Sequence, residues 1–86
     1  MKRLAQPIEV CARGSRPVSF RWRGQEYAVL DVLDAWRVRA HWWTREEQRS
    51  YFQVLARPAC PPEAAPEGVY ELCQQGDAWR LERLLD

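Results

Sequence analysis

The chain has 86 residues, room for one domain and too few for two, and five Trp, three Tyr and two Phe claim much of any core it can build. Each of those rings buries about 150–250 Å², which leaves few residues for the cleft of an elaborate active site and argues against an enzyme. The net charge of +1 is unlike the strongly basic balance common in nucleic-acid binders, and it hides an asymmetry: residues 1–57 carry eleven Lys/Arg against six Asp/Glu, residues 58–86 two against six.

In chain order, the first strand is read at residues 7–12, and Arg13-Gly14-Ser15-Arg16 makes a turn. Residues 17–23 alternate, with Val18, Phe20 and Trp22 on one face and Ser19, Arg21 and Arg23 on the other, the period of a half-buried strand. Gly24-Gln25 reads as a Gly-first two-residue turn. The return strand over 26–33 breaks its own alternation: Tyr27 and Val29 share one parity, Leu30 and Val32 the other. A β-bulge that flips the register explains this best, with a short helix over 29–37 as the alternative. Residues 34–39 then resume the pattern, with Trp36 and Val38 inward and Arg37 and Arg39 outward.

Residues 41–49 are read as a connection that starts with Trp42-Trp43; Thr44 and Glu47 have capping-box spacing and permit one helical turn. A strand follows at 50–57. Residues 58–68 hold four of the six prolines and form the longest irregular loop. Strands at 69–74 and 78–84 close the chain as a hairpin around Gln75-Gly76-Asp77. The expected fold is all-β: a small antiparallel barrel or strongly curved sheet of five to six strands, with at most one short helix. Its core is expected from Phe20, Trp22, Tyr27, Val29, Trp36, Val54, Leu72, Trp79 and Leu81.

No catalytic set emerges. Asp31 and Asp34 are near neighbours in sequence, which is no sign of two carboxylates held across a cleft, and they read as solvated or Arg-paired. His41 has no partner at a motif spacing. Cys11, Cys60 and Cys73 make neither a disulfide framework nor a zinc pattern. Cys11 and Cys73 read as buried small residues and Cys60 as exposed. No cofactor loop and no apolar run long enough to cross a membrane as a helix is present. The N-terminus has no apolar region behind its positive charges, so the expected location is the cytoplasm.

The one suggestive constellation interleaves arginine with aromatics: Arg21, Trp22, Arg23, Trp36, Arg37 and Arg39. Single-strand binders stack bases beside a basic groove, and Arg21, Arg23, Arg37 and Arg39 are the candidates for that role. Strict alternation, however, sends the Trp and the Arg to opposite faces. Twelve of the thirteen basic residues are Arg and Asn is absent, a usage that fits a GC-rich genome without a nucleic-acid role. Trp42 and Trp43, adjacent on an extended chain, cannot both point inward, so one is a candidate interface anchor beside Arg37 and Arg39.

Phe20-Arg21-Trp22-Arg23-Gly24, Tyr27-Ala28-Val29, Trp36-Arg37, Trp42-Trp43, Tyr51-Phe52-Gln53-Val54, Gly68-Val69-Tyr70-Glu71-Leu72 and Trp79-Arg80-Leu81 together resemble an uncharacterised family of short bacterial proteins associated with translesion-synthesis genes. Residues 34–86 also resemble the C-terminal segment of ImuB-type proteins, inactive relatives of Y-family DNA polymerases. That resemblance implies a shared fold and protein–protein contacts within damage-tolerance DNA synthesis. The function expected from it is a non-catalytic interaction module with a partner associated with a DNA polymerase. Direct binding of single-stranded nucleic acid is the alternative.

Overall fold

The computed structural model describes residues 2–42, 45–60 and 66–85, with side chains over 4–39, 48–60 and 66–85. Six strands run in chain order: β1 (Lys2–Arg13), β2 (Arg16–Trp22), β3 (Gln25–Trp42), β4 (Arg45–Pro58), β5 (Gly68–Gln75) and β6 (Ala78–Leu84). Each pairs antiparallel with the next, and β6 returns to β1, so the sheet closes into an up-and-down barrel. Closure is the physical answer to free sheet edges in so short a chain. The all-β expectation holds, and among the described residues there is no helix. Residues 41–49 are not an irregular connection: β3 runs to Trp42 and β4 begins at Arg45, so Glu46, Glu47 and Gln48 lie in a strand rather than a helical turn. Trp43 and Thr44 lie outside the described residues.

Alternate residues of every strand fill the barrel. Phe20, Val54, Ala56, Tyr70, Leu72, Trp79 and Leu81 are buried, with Ile8, Val10, Trp22, Tyr27, Val29, Val32 and Phe52 packed against them. Phe20 stacks on Tyr27 at 5.1 Å between ring centroids, and both meet Tyr70 at 5.4 and 5.5 Å. Trp22 joins this group and donates its Nε1–H to Gln6 Oε1 at 2.8 Å, which satisfies the indole within the barrel wall.

Burial, and then the neighbouring Tyr27, push the Tyr70 phenol above its ordinary value of 10.0. The fold therefore favours neutral Tyr70. That contribution to stability is complete below the unfolded value of 10.0 and is lost as pH rises through the higher folded value. An alkaline series of melting temperatures should decline from that pH upward, less steeply in Tyr70→Phe.

Five bulges set which side chains face the core, one of them where Leu4 and Ala5 of β1 stand between Arg3↔Arg83 and Gln6↔Leu81. Pairing steps from Cys11↔Ser19 to Ala12↔Pro17 and leaves Val18 extra on β2. On β3 it steps from Val29↔Ala56 to Asp31↔Leu55, and from Val32↔Val54 to Asp34↔Gln53, which leaves Leu30 and Leu33 extra. On β6, Glu82 is extra between Leu72↔Leu81 and Glu71↔Arg83. Three of these residues are among the exposed large apolar side chains: Val18 at 41%, Leu30 at 41% and Leu33 at 50%. Each extra residue reverses the inside–outside parity of the strand beyond it.

The expected face of residues 34–39 is therefore corrected. One bulge would have kept Trp36 and Val38 inward. The second returns the inner parity to odd positions, so Ala35 pairs with Phe52, which packs on the core. Arg37 and Arg39 continue that inner row, and Trp36 stands on the outer side opposite Tyr51, half-buried and outside the core. Val18 is likewise outside the core, and Pro17 takes its place as a fully buried residue. Cys11 is exposed instead of buried, because on β1 it shares the outward parity of Glu9; Cys73 is buried and Cys60 exposed.

Candidate functional site

The barrel is only as tall as its shorter strands, and β3 and β4 outrun it. β2 pairs with β3 only from Trp22↔Gln25 to Ser19↔Ala28, and β5 pairs with β4 only from Ala56↔Gly68 to Ser50↔Gln74. β3 and β4 pair with each other much further, to Trp42↔Arg45. The result is a two-stranded arm that makes the molecule long, 47 Å against 28 and 23 Å across. Where the ladder with β3 stops at Ser19, β2 continues through the bulged Val18 to Pro17, which has no N–H to offer. Among the described residues, nothing pairs with the edge of β3 beyond Ala28.

The arm has two unlike faces. Its inner face continues the barrel lining through Ala35, Arg37 and Arg39 on β3 and Gln48, Ser50 and Phe52 on β4. A cleft of about 250 Å³ at its root is lined by Ser15, Ala35, Arg37, Ser50, Phe52 and Gln74 together with Trp36 and Tyr51, whose rings lie on the other side of the arm, and an adjoining one of about 420 Å³ by Arg37, Gln48, Ser50, Gln74 and Gly76. No carboxylate is among these lining residues.

The outer face is aromatic and acidic. Trp36 and Tyr51 stack at 5.5 Å with rings 5° from parallel. They line a groove of about 260 Å³ with Val38, Glu71, Glu82 and Arg83. Glu71 and Glu82 are only 6% and 4% exposed. Arg83 Nε lies 3.8 Å from Glu71 Oε2 and Arg80 Nε 3.7 Å from Glu82 Oε2, so each buried carboxylate has a guanidinium beside it. The β6 bulge makes this possible: Leu81 and Leu84 both pack on the core, and the two residues between them turn outward.

The candidate residues fall into separate places. Arg37 and Arg39 share the inner face of the arm. The backbone of Trp42 ends β3, and its side chain, like Trp43 and the His41 side chain, lies outside the described residues. Arg21 sits on the outer wall of the barrel, opposite Glu26 with its Nη2 4.0 Å from the Glu26 carboxylate. Glu26 is eleven residues before Arg37 on β3, roughly 30 Å along the strand. Arg23 is not in a strand at all. The turn is Arg23-Gly24, one residue earlier than expected, since Trp22 pairs with Gln25. Both turn residues have positive φ, 54° and 73°, the type I′ condition, which glycine meets without strain and arginine does not. Arg23 lays its guanidinium 4.6 Å from the Trp22 ring centroid. The four arginines named for a nucleic-acid face thus do not gather on one.

The carboxylates weighed for catalysis have other partners. Asp31 lies 3.7 Å from Arg16, and Asp34 Oδ1 accepts the Ala35 N–H at 2.9 Å. No group of three His, Cys, Asp or Glu side chains with metal-binding geometry occurs among the described residues, and no helix there is long and apolar enough to cross a membrane. Sequence reasoning missed the free edge of β3 and the buried Glu71 and Glu82. The second break of alternation, between Val32 and Ala35, was the available signal for the arm's orientation.

The chain matches no curated protein and no solved structure. A family model described as Domain of unknown function (DUF6504) matches residues 1–86, the whole length of the chain, which belongs to that family.

Proposed function

We propose that this domain is a non-catalytic protein-interaction module that docks its partner on the β3–β4 arm, and that the partner belongs to the machinery of DNA repair or translesion synthesis. One observation carries the docking surface: from Val29 to Trp42, β3 has a strand partner on one side only among the described residues. Backbone N–H and C=O groups left without a ladder are a template for another chain. The choice of machinery rests on the resemblance of residues 34–86 to the C-terminal segment of ImuB-type proteins, and a DNA-polymerase-associated protein is the partner that resemblance names.

The dispersal of Arg21, Arg23, Arg37 and Arg39 favours a protein over single-stranded nucleic acid, which needs cations and stacking rings along one continuous path. A titration with single-stranded oligonucleotide at low and moderate salt, read by tryptophan fluorescence, separates the two. The expected result is no arginine-dependent binding at either salt. Tight binding that weakens steeply with salt and is abolished by Arg37→Glu with Arg39→Glu would overturn the proposal.

A further inference from the structure

We propose that the open edge of β3 between Asp34 and Trp42 accepts an added strand, and that the strand it fits is an extended peptide whose residues alternate acidic and apolar. This rests on reading the arm as a protein-docking element and specifies what docks there and how.

Regularity locates the site. Both bulges of β3 lie before Asp34, and from Asp34↔Gln53 to Trp42↔Arg45 the pairing with β4 runs without a register shift. That stretch is about 30 Å of even pleat. An incoming strand needs such regularity, because a bulge puts donors and acceptors out of step. Upstream, Leu30 and Leu33 break the edge and block pairing there.

The side chains beside the edge define the chemistry. Among residues 34–39 they are Ala35, Arg37 and Arg39 on the inner face, and Trp36 and Val38 on the outer face with Asp34 at its near end. A strand laid along β3 points its own residues alternately to the same two faces. Its inner-face residues meet the Arg37 guanidinium beside two adjoining clefts whose lining includes Ser15, Gln48, Ser50 and Gln74, where a carboxylate is favoured. Its outer-face residues meet the Trp36 indole and Val38, which is 43% exposed, where apolar side chains bury surface.

Charge also weighs against a second copy of this chain in the registers that centre on the arginines. Antiparallel self-pairing centred on Arg37, Val38 or Arg39 sets arginine directly opposite arginine, and like charges there are destabilising. The same positive charge favours an acidic strand. A nucleic acid offers no peptide N–H and C=O to continue the ladder, and its phosphates would meet the inner face alone.

The test uses the full chain and a synthetic, end-capped, fluorescently labelled peptide of nine residues alternating Glu and Val. Two further versions carry N-methyl groups on alternate residues, one in each phase. Strand addition uses only the amides on one side of the peptide. One phase should therefore lose about tenfold or more in affinity while the other stays within about twofold of the parent. Arg37→Glu should lose about tenfold at an unchanged melting temperature, and a Lys-for-Glu peptide should not bind. Backbone amides of residues 34–42 should gain protection from hydrogen exchange. Equal binding of both N-methyl phases, protection elsewhere, or absence of binding by the parent peptide would overturn the inference. If a partner protein still cross-links from position 38 in those cases, the arm remains a docking surface by another mode. If an oligonucleotide takes the peptide's place on the arm, the inference and the docking proposal fall together.

Discussion

Trp79→Ala should unfold the domain or lower its melting temperature by well over ten degrees, whereas Trp36→Ala should shift it by only a few. Trp79 is buried, opposes Ile8 on β1, and sits with its ring 5.6 Å from that of Phe52. Truncating a buried Trp costs about 3–5 kcal/mol. A domain of this length holds about 4–13 kcal/mol in all, and each kcal/mol moves the melting point by about 4–8 °C. Trp36 is equally large but half-buried on the outer side, stacked on Tyr51, so its loss removes a ring contact of about 0.5–1.5 kcal/mol and some buried area. The contrast arises from the two bulges of β3. Comparable losses for both variants would place Trp36 in the core and refute the assignment of faces on the arm.

The second large effect is expected at the buried carboxylates. Arg83→Ala removes the guanidinium beside Glu71 and leaves an acid that is 6% exposed beside the half-buried Tyr51 and Trp36. A buried polar group that loses its partner costs about 1–3 kcal/mol. The Arg83 side chain is itself 43% exposed, so water screens the pair and holds the loss to the lower part of that range. Glu71→Gln combined with Arg83→Gln should recover part of it, because neither group is then charged. Chemical denaturation of the single and double variants measures this directly. A double variant as unstable as the sum of Glu71→Gln and Arg83→Gln measured singly would mean that the two side chains do not act on each other.

Much of the fold can be read from the residues. Phe20 and Trp22 alternate with Ser19 and Arg21, and the Gly76-Asp77 turn joins two strands with buried Leu72 and Leu81; both patterns are local and survive folding unchanged. What could not be read depends on pairing between distant residues. Whether Leu30 or Leu33 is extra is decided by the partners that β4 supplies, Ala56, Leu55, Val54 and Gln53 in turn. A sequence that breaks alternation once looks much like one that breaks it twice. Glu71, flanked by Tyr70 and Leu72, reads as the solvent side of a strand, and its burial depends on residues of other strands that share its groove, Tyr51, Trp36 and Arg83 among them. The reach of the arm is a difference in strand length, 18 residues in β3 against 7 in β2, invisible while residues 41–49 look like a loop.

The claim that the arm is where a partner protein docks can be put to one measurement: a photo-cross-linking residue placed at Val38, exposed on the arm, and for comparison at Arg57, exposed on the barrel wall. Both positions tolerate substitution, since neither side chain is buried, and the cross-linked species from living cells are identified by mass spectrometry. Docking on the arm should give a discrete product from position 38, containing a DNA-polymerase-associated protein, that disappears in Arg37→Glu with Arg39→Glu and is not formed from position 57. A product formed from position 57 and not from 38, or nucleic acid as the species trapped at 38, would contradict it.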